Sequence, residues 1–106
     1  MINITFNPKT LELKVEGHAH HGKKGEDIVC AAISTLFYTL AEALHQSEEM
    51  MASPILFDDK DGKGYIKCSP KEEYMGNVTR TYWTILVGME LVANNYPKNV
   101  TFQVGG

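Results

Sequence analysis

The sequence predicts an α+β domain in which a single mixed β-sheet carries two amphipathic helices, in the order β-β-α-β-β-α-β. Apolar and polar residues alternate near both ends of the chain, which is the period of a half-buried strand. Two long internal stretches repeat apolar residues every three or four positions, which is typical of helices with one buried face. The chain has 106 residues, of which 43 % are hydrophobic. Because that length suffices for one core, we expect a single domain over residues 1–106.

The N-terminal segment predicts a β-hairpin. Apolar residues alternate with polar ones over 2–6, and Asn7-Pro8 then breaks the run. Alternation resumes over 11–15 and ends at Gly17. A glycine-rich stretch without periodicity follows, and we expect it to form a loop.

Residues 27–46 predict the first helix. Asp27 is the expected N-cap, because its carboxylate can accept hydrogen bonds from free N–H groups of the first turn. Cys30 would then lie in that first turn. The expected buried stripe consists of Val29, Ile33, Leu36, Phe37, Leu40 and Leu44.

Two short strands, 55–57 and 65–68, are expected around the turn-forming sequence DDKDGKG at 58–64. The acidic residues of this stretch suggest a calcium loop. However, the EF-hand template would place Phe57 and Cys68 at ligand positions, so the template fails. We therefore expect a solvated turn.

The second helix is expected to begin at a capping box. Ser69 can cap the helix, Pro70 suits its first position, and Glu72 can reach back to the cap N–H. An apolar repeat at helical spacing follows over 78–96. Alternation over 100–104 predicts the last strand.

The composition excludes several classes of protein. The net charge of −3 argues against direct binding of nucleic acid, which requires a basic surface. There is no uninterrupted run of about 18 apolar residues, so we expect nothing to span a membrane. The N-terminus lacks the pattern of a signal peptide. We expect a cytoplasmic protein in which Cys30 and Cys68 remain thiols.

Cys30 is the candidate nucleophile. In a first turn, free N–H groups and the helix dipole favour the thiolate, and the same amides could receive an oxyanion. His18, twelve residues earlier, follows the predicted second strand and could reach Cys30 as a base. Judged by position alone, a cysteine here is more often a small buried core residue than a nucleophile.

A zinc site is the second chemical alternative. His18, His20, His21 and Cys30 supply suitable nitrogen and sulfur ligands. They lack a spaced pair of ligands on one helix face, which weakens the hypothesis. We expect no metal and no cofactor.

Two motifs carry a resemblance to a known family. Gly17-His18-Ala19 and the stretch GEDIVCAAIS at 25–34 resemble the signature of the Prp family, the bacterial ribosomal-processing cysteine proteases. The order of strands and helices, the length and Tyr96-Pro97 are also similar to the family.

The resemblance implies a cysteine endopeptidase that cuts after an aromatic residue. Its implied substrate is the short N-terminal extension of ribosomal protein twenty-seven of the large subunit. It implies that Cys30 is the nucleophile and His18 the base and later general acid, with Asp27 and Ser34 in supporting roles. It also implies a homodimer and a flexible substrate loop, which here contains Ala19, His20, His21, Gly22, Lys23, Lys24 and Gly25. The alternative is a ribosome-associated adaptor that binds a protein partner without catalysis.

Overall fold

A computed structural model of the chain describes residues 1–17 and 24–105, and for residues 24–27 it describes the backbone alone. The strands are β1 (Ile2–Asn7), β2 (Glu12–Glu16), β3 (Leu56–Lys60), β4 (Lys63–Lys67) and β5 (Val100–Val104). The helices are α1 (Lys24–His45) and α2 (Met75–Asn95), with short 3-10 turns at Glu48–Met50 and Glu72–Tyr74. The predicted order of elements and the α+β class are confirmed.

The five strands form one mixed sheet in the order β3-β4-β2-β1-β5. β1 and β5 are parallel, whereas the other neighbours are antiparallel. The register places Ile4 opposite both Val15 and Phe102. Asn3 and Thr5, which alternate with the buried residues of β1, are exposed. The alternation in the sequence therefore corresponds to one buried and one solvated face.

Both helices pack on the buried face of the sheet. Ile4 and Leu13 from the strands, Leu40 from α1 and Tyr82 from α2 belong to one buried cluster. The Phe6 ring lies 5.3 Å from the Tyr82 ring, measured between centroids. Because this single core joins both helices to the sheet, α1 is fixed relative to the ends of the strands below it.

β3 and β4 are joined by a tight two-residue turn. Asp61 and Gly62 have φ angles of 53° and 72°, the left-handed conformation that a type I′ hairpin turn requires. The stretch 58–64, predicted as a turn, is therefore mostly strand. The prediction missed this because β3 is a fully exposed edge strand, and its charged residues do not show strand alternation.

The predicted start of the first helix is wrong by one turn. α1 begins at Lys24, so Asp27 lies inside the helix and is not its N-cap. The buried stripe begins only at Val29, and an apolar pattern does not reveal a helical turn that precedes it. Glu26 and Asp27 suit this position, since acidic residues near a helix N-terminus interact favourably with the helix dipole.

The predicted capping box of the second helix is also wrong. Ser69 accepts a hydrogen bond from the backbone N–H of Ala52 through its carbonyl, at 2.7 Å, and Lys71 donates its N–H to the carbonyl of Met50 at 2.8 Å. Pro70 pairs with Met51 in an isolated β-bridge. These residues are therefore held in extended backbone, and α2 begins at Met75.

The segment Ile28–His45 of α1 has the length and the mean hydropathy, 1.5, of a helix that could cross a membrane. Ser34, Thr35 and Glu42 interrupt this segment, so it is not an uninterrupted apolar run. In the folded chain, Val29, Ile33 and Leu40 of this segment are buried in the core. Their burial against the sheet accounts for the hydropathy of the segment.

Candidate active site

A cavity of about 170 Å³ lies between α1 and the end of the sheet that carries the β3–β4 turn. Its inner side is apolar and includes the buried residues Ile2, Ile33 and Phe37. Its outer side includes the exposed residues Asp59 and Lys63. We refer to this space, which Cys30 also lines, as the Cys30 cavity.

Cys30 and Ser34 lie one turn apart on α1 and line the same cavity. Cys30 is half-buried and packs against the core. Tyr38, another turn along, lines the cavity as well. Residues at spacings of four share one face of a helix, so α1 presents a thiol and two hydroxyl groups on one side.

The expectation that Cys30 occupies the first turn of the helix is wrong. Cys30 is the seventh residue of a helix that starts at Lys24. In an α-helix only the first four N–H groups lack an internal partner, so the N–H of Cys30 belongs to the regular backbone ladder. The first turn of the described helix, residues 24–27, lies upstream of the thiol.

His18 lies outside the described residues, as do Ala19, His20, His21, Gly22 and Lys23. The side chains of Lys24 and Asp27 are also not described. The last described residue before His18 is Gly17, and Gly17 lines the Cys30 cavity. The chain thus leaves β2 beside Cys30.

Gly17 occupies a position that suits only glycine. Its φ angle is +109°, and a Cβ atom built there would lie 2.1 Å from the carbonyl oxygen of Met1. The Gly17 N–H donates a hydrogen bond of 3.1 Å to the carbonyl of Gly62 at the β3–β4 turn. Neighbouring backbone therefore fixes the point from which the chain continues to His18.

No pattern in the sequence predicts the contact between Tyr38 and Asp59. The Tyr38 hydroxyl donates a hydrogen bond to the Asp59 carboxylate, which joins α1 to β3. This bond, together with burial and the charge of Asp59, raises the pKa of Tyr38 above its usual value. Both residues line the Cys30 cavity.

An open groove of about 720 Å³ runs along the exposed face of α1, and we refer to it as the α1 groove. Ala31, Thr35 and Glu42 line it. Ser34 and Tyr38 line both this groove and the Cys30 cavity. A peptide lying in the α1 groove would therefore have direct access to the cavity.

Cys68 differs from Cys30 in its surroundings. It is buried, and its sulfur lies 3.5 Å from the Tyr82 hydroxyl. Burial raises the pKa of the Cys68 thiol, which disfavours the reactive thiolate. Cys68 is a core residue and is not part of the cavity.

No group of three or more His, Cys, Asp or Glu side chains that could hold a metal occurs among residues 1–17 and 28–105. Of the four zinc ligands considered from the sequence, only Cys30 belongs to this part of the chain, since His18, His20 and His21 fall outside it.

Comparisons with known proteins place the chain beside a family of cysteine proteases. The family model described as cysteine protease Prp matches residues 1–101. The ribosomal processing cysteine protease Prp of Staphylococcus aureus is 27 % identical over 101 residues, which cover 93 % of this chain and 92 % of the relative.

Two solved structures share the fold. One is an essential ribosomal processing protease Prp from S. aureus in complex with a covalently linked product peptide. It has a TM-score of 0.75 and 23 % identity, and the match covers 98 % of this chain and 99 % of that one. The other, from Streptococcus mutans, has a TM-score of 0.69 and 30 % identity, with 98 % and 91 % covered.

Proposed function

The chain belongs to the Prp family of cysteine proteases, and on that premise we propose that it removes the N-terminal extension of ribosomal protein twenty-seven of the large subunit. In this proposal Cys30 is the nucleophile and His18 its base. The observation that carries the proposal is that Cys30 and Gly17, the residue before His18, line one cavity. The covalently linked product peptide of the S. aureus structure supports the same type of chemistry here.

The Cys30 cavity is our candidate for the pocket that receives the aromatic residue before the cut. A buried apolar cavity of roughly 150 Å³ is known to hold benzene, so a space of about 170 Å³ fits one aromatic ring. Ile33 and Phe37 offer the ring apolar contact.

The proposed reaction has two steps. The Cys30 thiolate attacks the scissile carbonyl, and the tetrahedral intermediate collapses as protonated His18 transfers its proton to the leaving amine. Neutral His18 then removes a proton from water, which attacks the thioester and releases the carboxylate and the thiol. One imidazole thus serves in turn as acid and as base.

Asp27 and Ser34 have supporting roles in this proposal. Asp27 precedes Cys30 by three positions inside α1, and residues three apart are neighbours on a helix surface. This spacing makes Asp27 suitable for orienting His18 rather than for capping the helix. The Ser34 hydroxyl, one turn beyond Cys30 in the same cavity, can donate a hydrogen bond to the developing oxyanion or to the substrate.

We also propose a cytoplasmic homodimer that does not bind nucleic acid directly, with residues 1–106 as one protease domain. The net charge of −3 favours encounter with a cationic ribosomal protein. Sedimentation of the purified chain at several concentrations measures the oligomeric state, and a single monomeric species would contradict the dimer.

Cleavage of a peptide that spans the extension tests the function directly. We expect mass spectrometry to show one cut after an aromatic residue, and we expect Cys30→Ser and His18→Ala to abolish it. Cys68→Ser is the matched control for the thiol and should retain cleavage. Cleavage by Cys30→Ser at the wild-type rate, or no cleavage by the folded wild type, would contradict the proposal.

A further inference from the structure

Tyr38 is, with Ser34, one of the two residues that the linings of the Cys30 cavity and the α1 groove share. It lines both spaces and is 47 % exposed. Its ring meets Phe37 edge to face, with 5.7 Å between centroids. A tyrosine that is half exposed would normally sample more than one rotamer. The shape of the cavity would then vary with the position of this ring.

The hydrogen bond to Asp59 fixes the Tyr38 ring. Asp59 lies on β3, opposite Gly64 of β4, so the sheet fixes the backbone that carries this carboxylate. The bond therefore ties a helix side chain to a strand on the far side of the cavity. A carboxylate acceptor makes this bond stronger than one between two neutral groups. The bond therefore favours one position of the Tyr38 ring in the cavity lining.

We propose that Tyr38 and Asp59 together form a specificity-determining pair, in which the anchored Tyr38 ring holds the cavity in the shape that accepts one aromatic side chain. The inference rests on the proposed proteolytic function, because the ring it concerns is that of the residue before the cut. Asp59 acts through Tyr38 and is a positioning residue. An anchored ring lowers the cost of binding, since less side-chain motion is lost when the substrate enters.

The chain contains a matched control for this pair. Tyr65 donates a hydrogen bond of 2.7 Å to the carboxylate of Glu12, which is the same kind of contact between two elements. Neither residue lines the Cys30 cavity. Tyr38→Phe and Tyr65→Phe each remove one hydroxyl that binds a carboxylate, and only the first removes it from the cavity lining.

Steady-state cleavage of two fluorogenic peptides tests the pair, one with phenylalanine before the cut and one with leucine. For the phenylalanine peptide, Tyr38→Phe and Asp59→Ala should raise KM by about three- to tenfold, with kcat within about twofold, because an interaction that shapes the binding site is lost. The ratio of kcat/KM for the phenylalanine peptide to kcat/KM for the leucine peptide should fall. Asp59→Asn should restore part of the loss, since its amide oxygen can accept the bond.

A binding experiment separates this inference from the proposed function. In the Cys30→Ser background, fluorescence anisotropy of the labelled phenylalanine peptide measures affinity without cleavage. Weaker binding after Tyr38→Phe, with unchanged binding after Tyr65→Phe, supports the pair even if no variant cleaves the peptide. Equal affinity in all variants overturns the inference, as does an equal loss for Tyr65→Phe, which would indicate a general structural effect.

Discussion

Replacing Gly17 by alanine tests whether neighbouring backbone fixes the entry to the His18 segment. An L-residue in the left-handed region costs about 1–2 kcal/mol. The new methyl group would also lie 2.1 Å from the Met1 carbonyl oxygen, so the backbone must move, which weakens the hydrogen bond to Gly62 at a cost of about 1 kcal/mol. Together these terms predict a loss of about 2–3 kcal/mol in the free energy of unfolding.

Urea denaturation followed by circular dichroism measures this loss. In a domain of this size it corresponds to a fall in Tm of about 10–20 °C. Gly76→Ala is the matched control, because a Cβ at Gly76 meets nothing within 4 Å, and its stability should be equal to or slightly above that of the wild type. Under conditions where both variants remain folded, only Gly17→Ala should cleave more slowly. A stable and fully active Gly17→Ala would refute the reasoning.

Two further perturbations follow from the core and the cavity. Burial raises the pKa of Tyr82 far above its usual value. Above about pH 10 the unfolded chain therefore ionises first, and the free energy of unfolding should fall by up to about 1.4 kcal/mol per pH unit. Tyr82→Phe should flatten that slope in urea titrations between pH 8 and 11, and an unchanged slope would contradict the assignment. Gly64→Ala would place a Cβ 2.9 Å from the Phe37 ring, so we expect a loss of about 1–3 kcal/mol in the same assay and slower cleavage. Gly105→Ala, which meets nothing within 4 Å, should change neither, and equal stability of the two variants would argue against the packing described.

The elements that the sequence predicts best are those whose pattern follows from burial of one face. Alternation over 2–6 and 100–104 marks β1 and β5, and the apolar repeat over 78–96 marks α2. Only part of the edge strand β3 could be predicted, because all five of its residues are exposed. A strand without a buried face shows no alternation of apolar and polar residues.

Local motifs led to wrong predictions where hydrogen bonds to distant backbone determine the conformation. Ser69 and Pro70 satisfy the rules for a helix start, yet the Ser69 carbonyl accepts a hydrogen bond from Ala52, and Pro70 lies opposite Met51 in an isolated β-bridge. The two bridged residues are nineteen positions apart in the sequence. Their conformation depends on a tertiary contact that no short motif records. Likewise, no short motif predicts that both helices pack on the same face of the sheet.

The candidate site likewise contains residues that the sequence predicts and a contact that it does not predict. Cys30 and Ser34 are predictable from a motif and from helical spacing, and they line one cavity. The contact of Tyr38 with Asp59 joins residues 21 positions apart, so it depends on how α1 crosses the edge of the sheet. A contact of this kind becomes visible only in the folded chain.

The rate at which iodoacetamide alkylates Cys30 in the native protein tests the pairing of the thiol with His18 most directly. Mass spectrometry resolves the two cysteines, and buried Cys68 serves as an internal reference that should react only on unfolding. At neutral pH we expect His18→Ala to slow alkylation of Cys30 by about tenfold or more, because the thiolate loses the base that supports it, whereas His20→Ala and His21→Ala leave the rate unchanged. Equal rates in all four proteins would contradict a Cys30–His18 dyad.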